Sequence, residues 1–600
     1  MAYSQEGRPI QISTTLGETE LLLEWFTGTE SVSAPFEFQV GLLSENSSVN
    51  LKSLLHTAAV ISLQLPDGQT RYIHGIFNRL TQLEQGKDKL VAYAGTLVPS
   101  IWFLGLYADC RIFQNLSVPD IVEQVLSGRG VTDFKLKLNG SYPQREYCVQ
   151  YRESDLNFIS RLLEEEGIFY FFEHTKSKHT LVIADRPSAF SPCQQATVRY
   201  SLVREGWGEE DSILTLERIE EAHTSKIALE DYDFEKPNVD LKVSLAGNSS
   251  EEVYDYPGGY LDRSEGERYA RVRLEEQETP LLTVRGTSRC RALQAGYRFT
   301  LADHYREDAN VAYAALSVTH EATDNNYRAP QSEPFAYRNS FEAVPQSVAY
   351  RPPRRARKPV VEGPQTAMVV GKSGEEIWVD KYGRVIVQFY WDRTGHRDEK
   401  SSCWVRVAQP WAGKNWGWIT LPRIGQEVVV DFLEGDPDRP LITGRVYNAD
   451  QMPPYTLPDN QTQSGIKSRS SKGGGAGNFN EIRFEDKMGG EMFTVHAEKD
   501  METVIEHDDT QTVQNDRIIE VDGKHTETIT GDMSITIKTG DHSLSISTGK
   551  STTEAAQSIE LTVGPSSLKM DPSGIVLQAP MIQVKGSATV TIQGGMVMIN

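Results

Sequence analysis

Three sets of residues in this chain have types and spacings that bear on chemistry. Glu164, Glu165 and Glu166 are consecutive carboxylates, the residue type that general acid and base catalysis draws on. They close the run SDLNFISRLLEEE, and a charge run at the end of a helix is ordinarily a solvated face, so a solvated helix end is expected. His174 and His179 stand five apart in HTKSKH. That spacing has no metal-site logic on a strand or turn, and the two read as a surface pair. Ser464 in SGIK and Ser566 in SSLK match the SxxK pattern. Neither has the helix or partner motifs that activate a serine, so both read as chance. HExxH, GxSxG and P-loop patterns are absent from the sequence. The expectation is therefore no catalytic, cofactor-binding or metal-binding residue and no enzyme activity.

The five cysteines, Cys110, Cys148, Cys193, Cys290 and Cys403, are odd in number and never form a CxxC pair, which supports neither a disulfide framework nor a zinc site and fits folding in a reducing cytoplasm. Trp404, Trp411, Trp416 and Trp418 cluster tightly. They are either a stacking platform for sugars or bases or the filling of a small barrel; with no basic groove beside them, core is expected. The formal net charge of -22 works against a nucleic-acid partner, since phosphate binding needs a positive face. The basic stretch RPPRRARKP, Arg351 to Pro359, carries three prolines and reads as a linker.

The elements that must position these residues are mostly strands. With 38% hydrophobic and 24% charged residues, 47 Gly and 28 Pro, the composition is that of a soluble, loop-rich, β-leaning protein. No stretch approaches the ~20 apolar residues that span a bilayer, and the N-terminus lacks the basic and apolar regions of a secretory signal. The best helix is SDLNFISRLLEEE: Ser154 or Asp155 caps it, Leu156, Ile159, Leu162 and Leu163 make one apolar face, and Gly167 stops it. Residues 375 to 448 carry short strand runs separated by Gly, Pro and Asp turns, a small β-barrel pattern.

Near the end the chain becomes periodic. Ile505, Val513, Val521, Ile529 and Ile537 fall on a step of eight, with Gly523 and Gly531 two places after the third and fourth; a second run reads Leu568, Val576, Val584 and Ile592, followed likewise by Gly586 and Gly594. Thr, Ser, Asp, Glu and Ile alternate between the marked positions, which is strand composition with one apolar face. Eight residues of strand cover only ~26 Å, one side of a prism rather than a full coil. Three identical chains, each giving one octad per layer, close a three-sided β-prism with Val and Ile inside. From Glu481 to Thr530 there are 14 Asp or Glu against five Lys or Arg, an acidic shaft that stays soluble. The end, GGMVMIN, is apolar. Met596, Val597, Met598, Ile599 and Asn600 are expected to form a docking face for a tip partner.

The segment SCWVRVAQPWAGKNWGWITLPRIGQEVVVDFLEGDPDRPLITGRVYN, Ser402 to Asn448, resembles the signature of VgrG (valine-glycine repeat) spike proteins of type VI secretion systems. The resemblance continues through SGIKSRSSKGG, FNEIRFEDKMGGEMFTVHAEKDM, DCRIFQNLSVPDIVEQVL, EYCVQYRESDLNFISRLLEEEGIFYFFEH and YDYPGGY, and covers nearly the whole chain. It implies a mainly β architecture: a phage-hub-like β-barrel base over 1–350 with minor helices, a Pro/Arg-rich linker over 351–370, an OB-fold collar over 371–450, a Gly/Ser-rich neck and the start of the needle over 451–500, and an intertwined trimeric octad-repeat β-prism needle with an apolar tip over 501–600. The implied function is a homotrimeric, membrane-puncturing spike on a hexameric Hcp tube. A PAAR-repeat protein would sit at its tip, and effector proteins with their adaptors would be its cargo; it would be made in the cytoplasm and leave through the type VI system into the medium or a target cell. Asn448 to Ile505 is too short for an inserted catalytic domain, and the chain ends eight residues past Ile592, so no effector domain is expected. The alternative is a phage-like tail spike that degrades carbohydrate, which would need carboxylates in a groove where the octads offer mostly Thr, Ser and apolar residues.

Overall fold

A computed structural model describes residues 3–86, 89–201, 211–247, 250–327 and 335–599. The alternation of β-branched and aromatic residues with polar ones in the first 350 residues builds a twelve-stranded mixed sheet. Its first half runs, in spatial order, Ile10–Ser13, Ala58–Gln64, Thr70–Gln85, Val91–Val98, Ala34–Ser44 and Leu22–Ser31. Leu22–Ser31 then pairs with Ala312–Thr323. From that strand the second half continues through Tyr297–Ala302, Ser191–Tyr200, Ser212–Glu220, Leu282–Ser288 and Ala336–Pro345. The last of these pairs back onto Ala312–Thr323, with Tyr313 opposite Pro345 and Thr323 opposite Ala336, so the second half is a closed six-stranded barrel. The closure is narrowest between Ser191–Tyr200 and Ser212–Glu220, which pair only through Arg199–Ser212 and Tyr200–Ile213. Val198, Ile213, Val284, Phe299, Val318 and Phe341 are buried together in its cluster, and Phe299 meets the ring of Phe341 edge-on at 5.6 Å. Burying such a side chain contributes about 1.5–3 kcal/mol.

Helices are few: α1, Leu51–Leu54; α2, Val118–Gly128; α3, Asp155–Glu165; and α4, Arg263–Glu278. Helix α3 is the one the sequence shows best. Ser154 caps it by accepting the Asn157 N–H at 3.1 Å, Ile159, Leu162 and Leu163 are buried, and Gly167 lies just beyond its end at φ +71°, a conformation that suits glycine. Asp155 is fully buried at its first position, held by Arg111 at 2.7 Å and Arg129 at 2.6 Å. Together α2 and α3 close one side of the largest core cluster.

Five further strands follow: Gln365–Val370, Ile386–Phe389, Arg406–Val407, Glu427–Phe432 and Pro440–Val446. They form one sheet whose outer members are joined by a Val385–Val405 bridge, a second, smaller closed barrel. Ala367, Val369, Val387, Phe389, Val428, Val430 and Ile442 fill it, alternating along each strand as a half-buried strand requires. Beyond it, Gln463–Lys467, Glu481–Glu485 and Met492–His496 form an antiparallel sheet.

The chain divides into two compact units, Met1–Met501 and Glu502–Asn600. In the second unit residues 502–558 belong to no helix or ladder, so one chain alone leaves their backbone donors and acceptors without strand partners. Ile559–Val563, Ser566–Asp571 and Gly574–Gln578 then form an antiparallel three-stranded meander.

Candidate functional site

Glu164, Glu165 and Glu166 are not the solvated helix end that their position implied. Glu164 and Glu166 are buried and Glu165 half-buried, because α3 ends against the basic segment that follows the hub. Glu164 accepts the backbone N–H groups of Arg355 at 2.8 Å and Ala356 at 2.9 Å. Glu165 pairs with Arg145 at 3.1 Å; Glu166 pairs with Arg145 at 2.7 Å and with Arg268 of α4. Arg351 reaches Glu275 at 2.7 Å and donates to the carbonyls of Gly167 and Asp185, each at 2.9 Å. Lys358 bridges Asp436 and Asp438 of the small barrel, each at 2.7 Å. Arg351 to Pro359 is thus a strap fixed at both ends. Burial pushes the Glu165 carboxyl up, but the charges of Arg145, Lys358 and Arg354 together outweigh it and hold the group at about 2. Burial wins at Glu164, whose carboxyl lies above its ordinary value.

His174 and His179 are not a surface pair either. They face each other across the hairpin of Phe169–His174 and His179–Ala184, and both turn inward onto His74. His74 donates its backbone N–H to His174 Nδ1 at 3.2 Å, the Nδ1 atoms of His74 and His179 are 3.0 Å apart, and His179 Nε2 accepts the Ser100 N–H at 2.9 Å. These contacts fix the protons: His179 carries its hydrogen on Nδ1 and gives it to His74, while His174 carries its own on Nε2, which is buried with no partner. Burial holds His174 down at about 4 and His179 at about 3. The rings are linked in a chain; among the described residues no group of three or more His, Cys, Asp or Glu is arranged to hold a metal.

A second buried group lies in the same core. Glu30 pairs with Arg71 at 2.6 Å and with His320 Nε2 at 3.1 Å, and Arg71 also donates to the carbonyls of Arg291 and Leu293 at 2.9 and 2.6 Å. Burial pushes the Glu30 carboxyl up, but Arg71 and His320 hold it at about 2. It ties three strands and a loop together. All five cysteines are free, and burial pushes the thiols of Cys148, Cys193 and Cys290 up to about 12, which makes them unreactive.

A cavity of about 420 Å³ lies where hub, strap and small barrel meet. Four of its carboxylates are engaged, Glu165 with Arg145, Asp436 and Asp438 with Lys358, and Asp231 with Arg439 at 3.0 Å; Glu146 and Glu265 also line it, and burial raises the Glu265 carboxyl above its ordinary value. Among the tryptophans, Trp404 is half-buried and stacks on Trp378 with ring centres 6.4 Å apart. Trp411, Trp416 and Trp418 depart from the core expectation. They stand exposed on the short hairpin of Trp411–Gly413 and Trp416–Trp418, which projects from the small barrel and contributes nothing to its interior.

In the second unit Ile505, Val513, Val521, Ile529 and Ile537 are all between 45% and 49% exposed, whereas Ile518, off the step of eight, is 87% exposed. The first octad run is therefore the sheltered row even within a single chain. The second run keeps no such phase. Leu568 and Val576 fall on neighbouring strands with Leu568 opposite Leu577 and Val576 opposite Lys569, so they point to opposite faces of the meander. Beyond it Val584 and Ile592 are 66% and 68% exposed, against 51% and 46% for Ile582 and Val590. Met596, Val597, Met598 and Ile599 are exposed; Asn600 lies outside the described residues.

Three family models match successive parts of the chain: "Phage tail baseplate hub (GPD)" over residues 29–326, "Type VI secretion system/phage-baseplate injector OB domain" over 369–447, and "Bacteriophage T4 gp5 C-terminal trimerisation domain" over 464–571. The type VI secretion system spike protein VgrG1b of Pseudomonas aeruginosa is 44% identical over 529 residues, 87% of this chain and 71% of that protein. The chain belongs to the VgrG family of type VI secretion spike proteins. VgrG1a of the same organism is also 44% identical, over 85% of this chain and 80% of its own length. The actin cross-linking toxin VgrG1 of Vibrio cholerae is 34% identical over 90% of this chain, which spans 50% of that longer protein. Among solved structures, the E. coli c3393 protein, described as a type VI secretion component similar to the T4 tail proteins gp27 and gp5, superposes with a TM-score of 0.55 at 23% identity over 73% of this chain and all of its own. A chain of a Francisella PdpA–VgrG complex gives 0.55 at 11% identity, over 81% of this chain and 76% of that one. Both show the fold alone: the chain is mainly β, and the family models mark a phage-baseplate hub, an OB domain and a gp5-type trimerisation domain along it.

Proposed function

We propose that this chain works as a homotrimeric puncturing spike at the end of an Hcp tube, delivering effectors without an effector domain of its own. The single observation that carries this reading is the sheltered octad row, Ile505 to Ile537, on a stretch with no strand partner in its own chain: its backbone and its apolar face both call for two more copies. The hub would sit on the hexameric tube. The acidic shaft would cross the target-cell membrane under mechanical drive, and the exposed Met596 to Ile599 would seat a PAAR-repeat tip protein to which effectors and adaptors attach. The spike would leave the cytoplasm through the type VI system itself. A non-hydrolytic role is supported by the octads, which offer mostly Thr, Ser and apolar residues where a glycosidase needs one proton donor and one free carboxylate in a groove.

The test is a measurement of mass by light scattering together with secretion from cells. The full chain is expected to be a trimer, and deletion of Gly594 to Asn600 is expected to keep it a trimer while abolishing capture of a purified PAAR-repeat protein and lowering secretion. A folded monomer, or unchanged capture by the truncated trimer, overturns the reading or its tip assignment respectively. Turnover of peptidoglycan that a point substitution abolishes would overturn the non-enzymatic part.

A further inference from the structure

The meander of the second unit has two unlike faces. In an antiparallel sheet, residues directly opposite one another point the same way. Register aligns Ile559, Met570 and Ile575 in one row and Leu561, Leu568 and Leu577 in the next. These six share a face, and no charged or polar residue stands in either row. The reverse face carries Glu560, Lys569 and Val576 in one row and Thr562, Ser567 and Gln578 in another. The apolar face is bare in the single chain: Leu561, Ile575 and Leu577 are each more than half exposed. A three-stranded sheet of this size needs a hydrophobic face covered to be stable in water.

We propose that this face is covered by two further copies of itself, so that three meanders form a nine-stranded apolar clamp within the needle, and that Leu577, not Val576, is the core residue of its third strand. The inference rests on the trimeric reading above. The occupant is argued from continuity: the trimerisation match over 464–571 includes both Ile559–Val563 and Ser566–Asp571, and the octad row upstream already calls for the same two copies. The clamp differs from the octad prism in kind. Its middle strand, Ser566–Asp571, is paired on both sides within its own chain and its apolar side chains join the copies, whereas the octads have no strand partner in their own chain.

The experiment uses the full chain with Leu577→Asp, Val576→Asp and, as a milder change, Leu577→Ala. Mass is read by light scattering, and hydrogen exchange is followed in peptides covering 559–578. Wild type and Val576→Asp are expected to be trimers with slow exchange there. Leu577→Asp buries three carboxylates against one another and is expected to speed exchange in those peptides at least ~10-fold, with Leu577→Ala in between; local opening is read this way even if the octads hold the trimer together. A trimeric wild type in which Leu577→Asp exchanges like wild type, or in which Val576→Asp is the disruptive change, overturns the clamp while leaving the trimer standing. A monomeric wild type overturns both.

Discussion

The carboxylate of Glu164 accepts the backbone N–H of Ala356, 192 residues further on, at 2.9 Å, and that of Arg355 at 2.8 Å. One side chain thereby fixes the path of a segment whose composition alone describes a loose connector. The hub and the small barrel are joined by a strap that is bonded along its length, with Arg351 at one end and Lys358 at the other.

Glu164→Ala is expected to free the middle of that strap. Each lost hydrogen bond to a charged acceptor is worth about 1.5–3 kcal/mol, enough to expose the backbone around Arg354 and Arg355 to protease. Limited trypsin digestion should cut the variant there and leave the wild type whole; equal resistance would show that Arg351 and Lys358 suffice.

Glu30→Gln should be the more damaging change. It leaves Arg71 buried and charged with only carbonyls and a neutral amide around it, and breaking a buried pair in this way costs about 3–5 kcal/mol. The midpoint of chemical denaturation of the hub should fall accordingly, while Glu342→Gln, an exposed partner of Arg285 at 3.0 Å, should move it by less than ~1 kcal/mol.

Stability should fall with acid in two windows. His174 and His179 are held near 4 and 3 in the folded chain, below the ~6.5 of an unfolded imidazole. Their contribution is complete above pH ~6.5 and is lost as the unfolded state takes up protons below it, until the folded rings protonate in turn. Glu30 and Glu165, held near 2, begin to cost stability only below the ordinary carboxylate range. Melting followed from pH 7 to 5 therefore reports the histidines. A His174→Asn, His179→Asn variant should show a flatter slope in that range, and an unchanged slope would place the acid sensitivity elsewhere.

Ile529→Asp should dissociate the needle, since it sets three carboxylates together where the sheltered row meets, each costing several kcal/mol. Ile518→Asp, on the exposed side, is the matched control. Light scattering decides: a trimer in both variants would remove the octad row from the interface.

How much of this was legible in sequence depends on the distance over which each pattern acts. The cap, face and stop of α3 are set within a dozen residues, and Ser154, Leu162 and Gly167 read correctly. The octads repeat locally, so the first run shows itself without a structure. The glutamates and histidines failed for one shared reason: both were judged by neighbours in sequence, whereas Glu164 is covered by residue 356 and His179 by residues 74 and 100. The exposed tryptophans failed because their short hairpin leaves the barrel instead of filling it. At Val576 the strand register puts Leu577, one residue on, on the face of Leu568. A shift of one position in a strand turns the side chain to the other face, and a step of eight counted across two tight turns cannot register that shift.

The strand Ala312–Thr323 is shared. Along one side it carries Ala336–Pro345 for its full length; along the other, Tyr297–Ala302 takes its first part and Leu22–Ser31 its second. Ladder hydrogen bonds lie across the strands, so a pull along this strand loads its many bonds together in shear instead of peeling them one by one. The two halves of the hub hang on a common tendon, and a sudden thrust on either half reaches the other through the direction in which a sheet yields least.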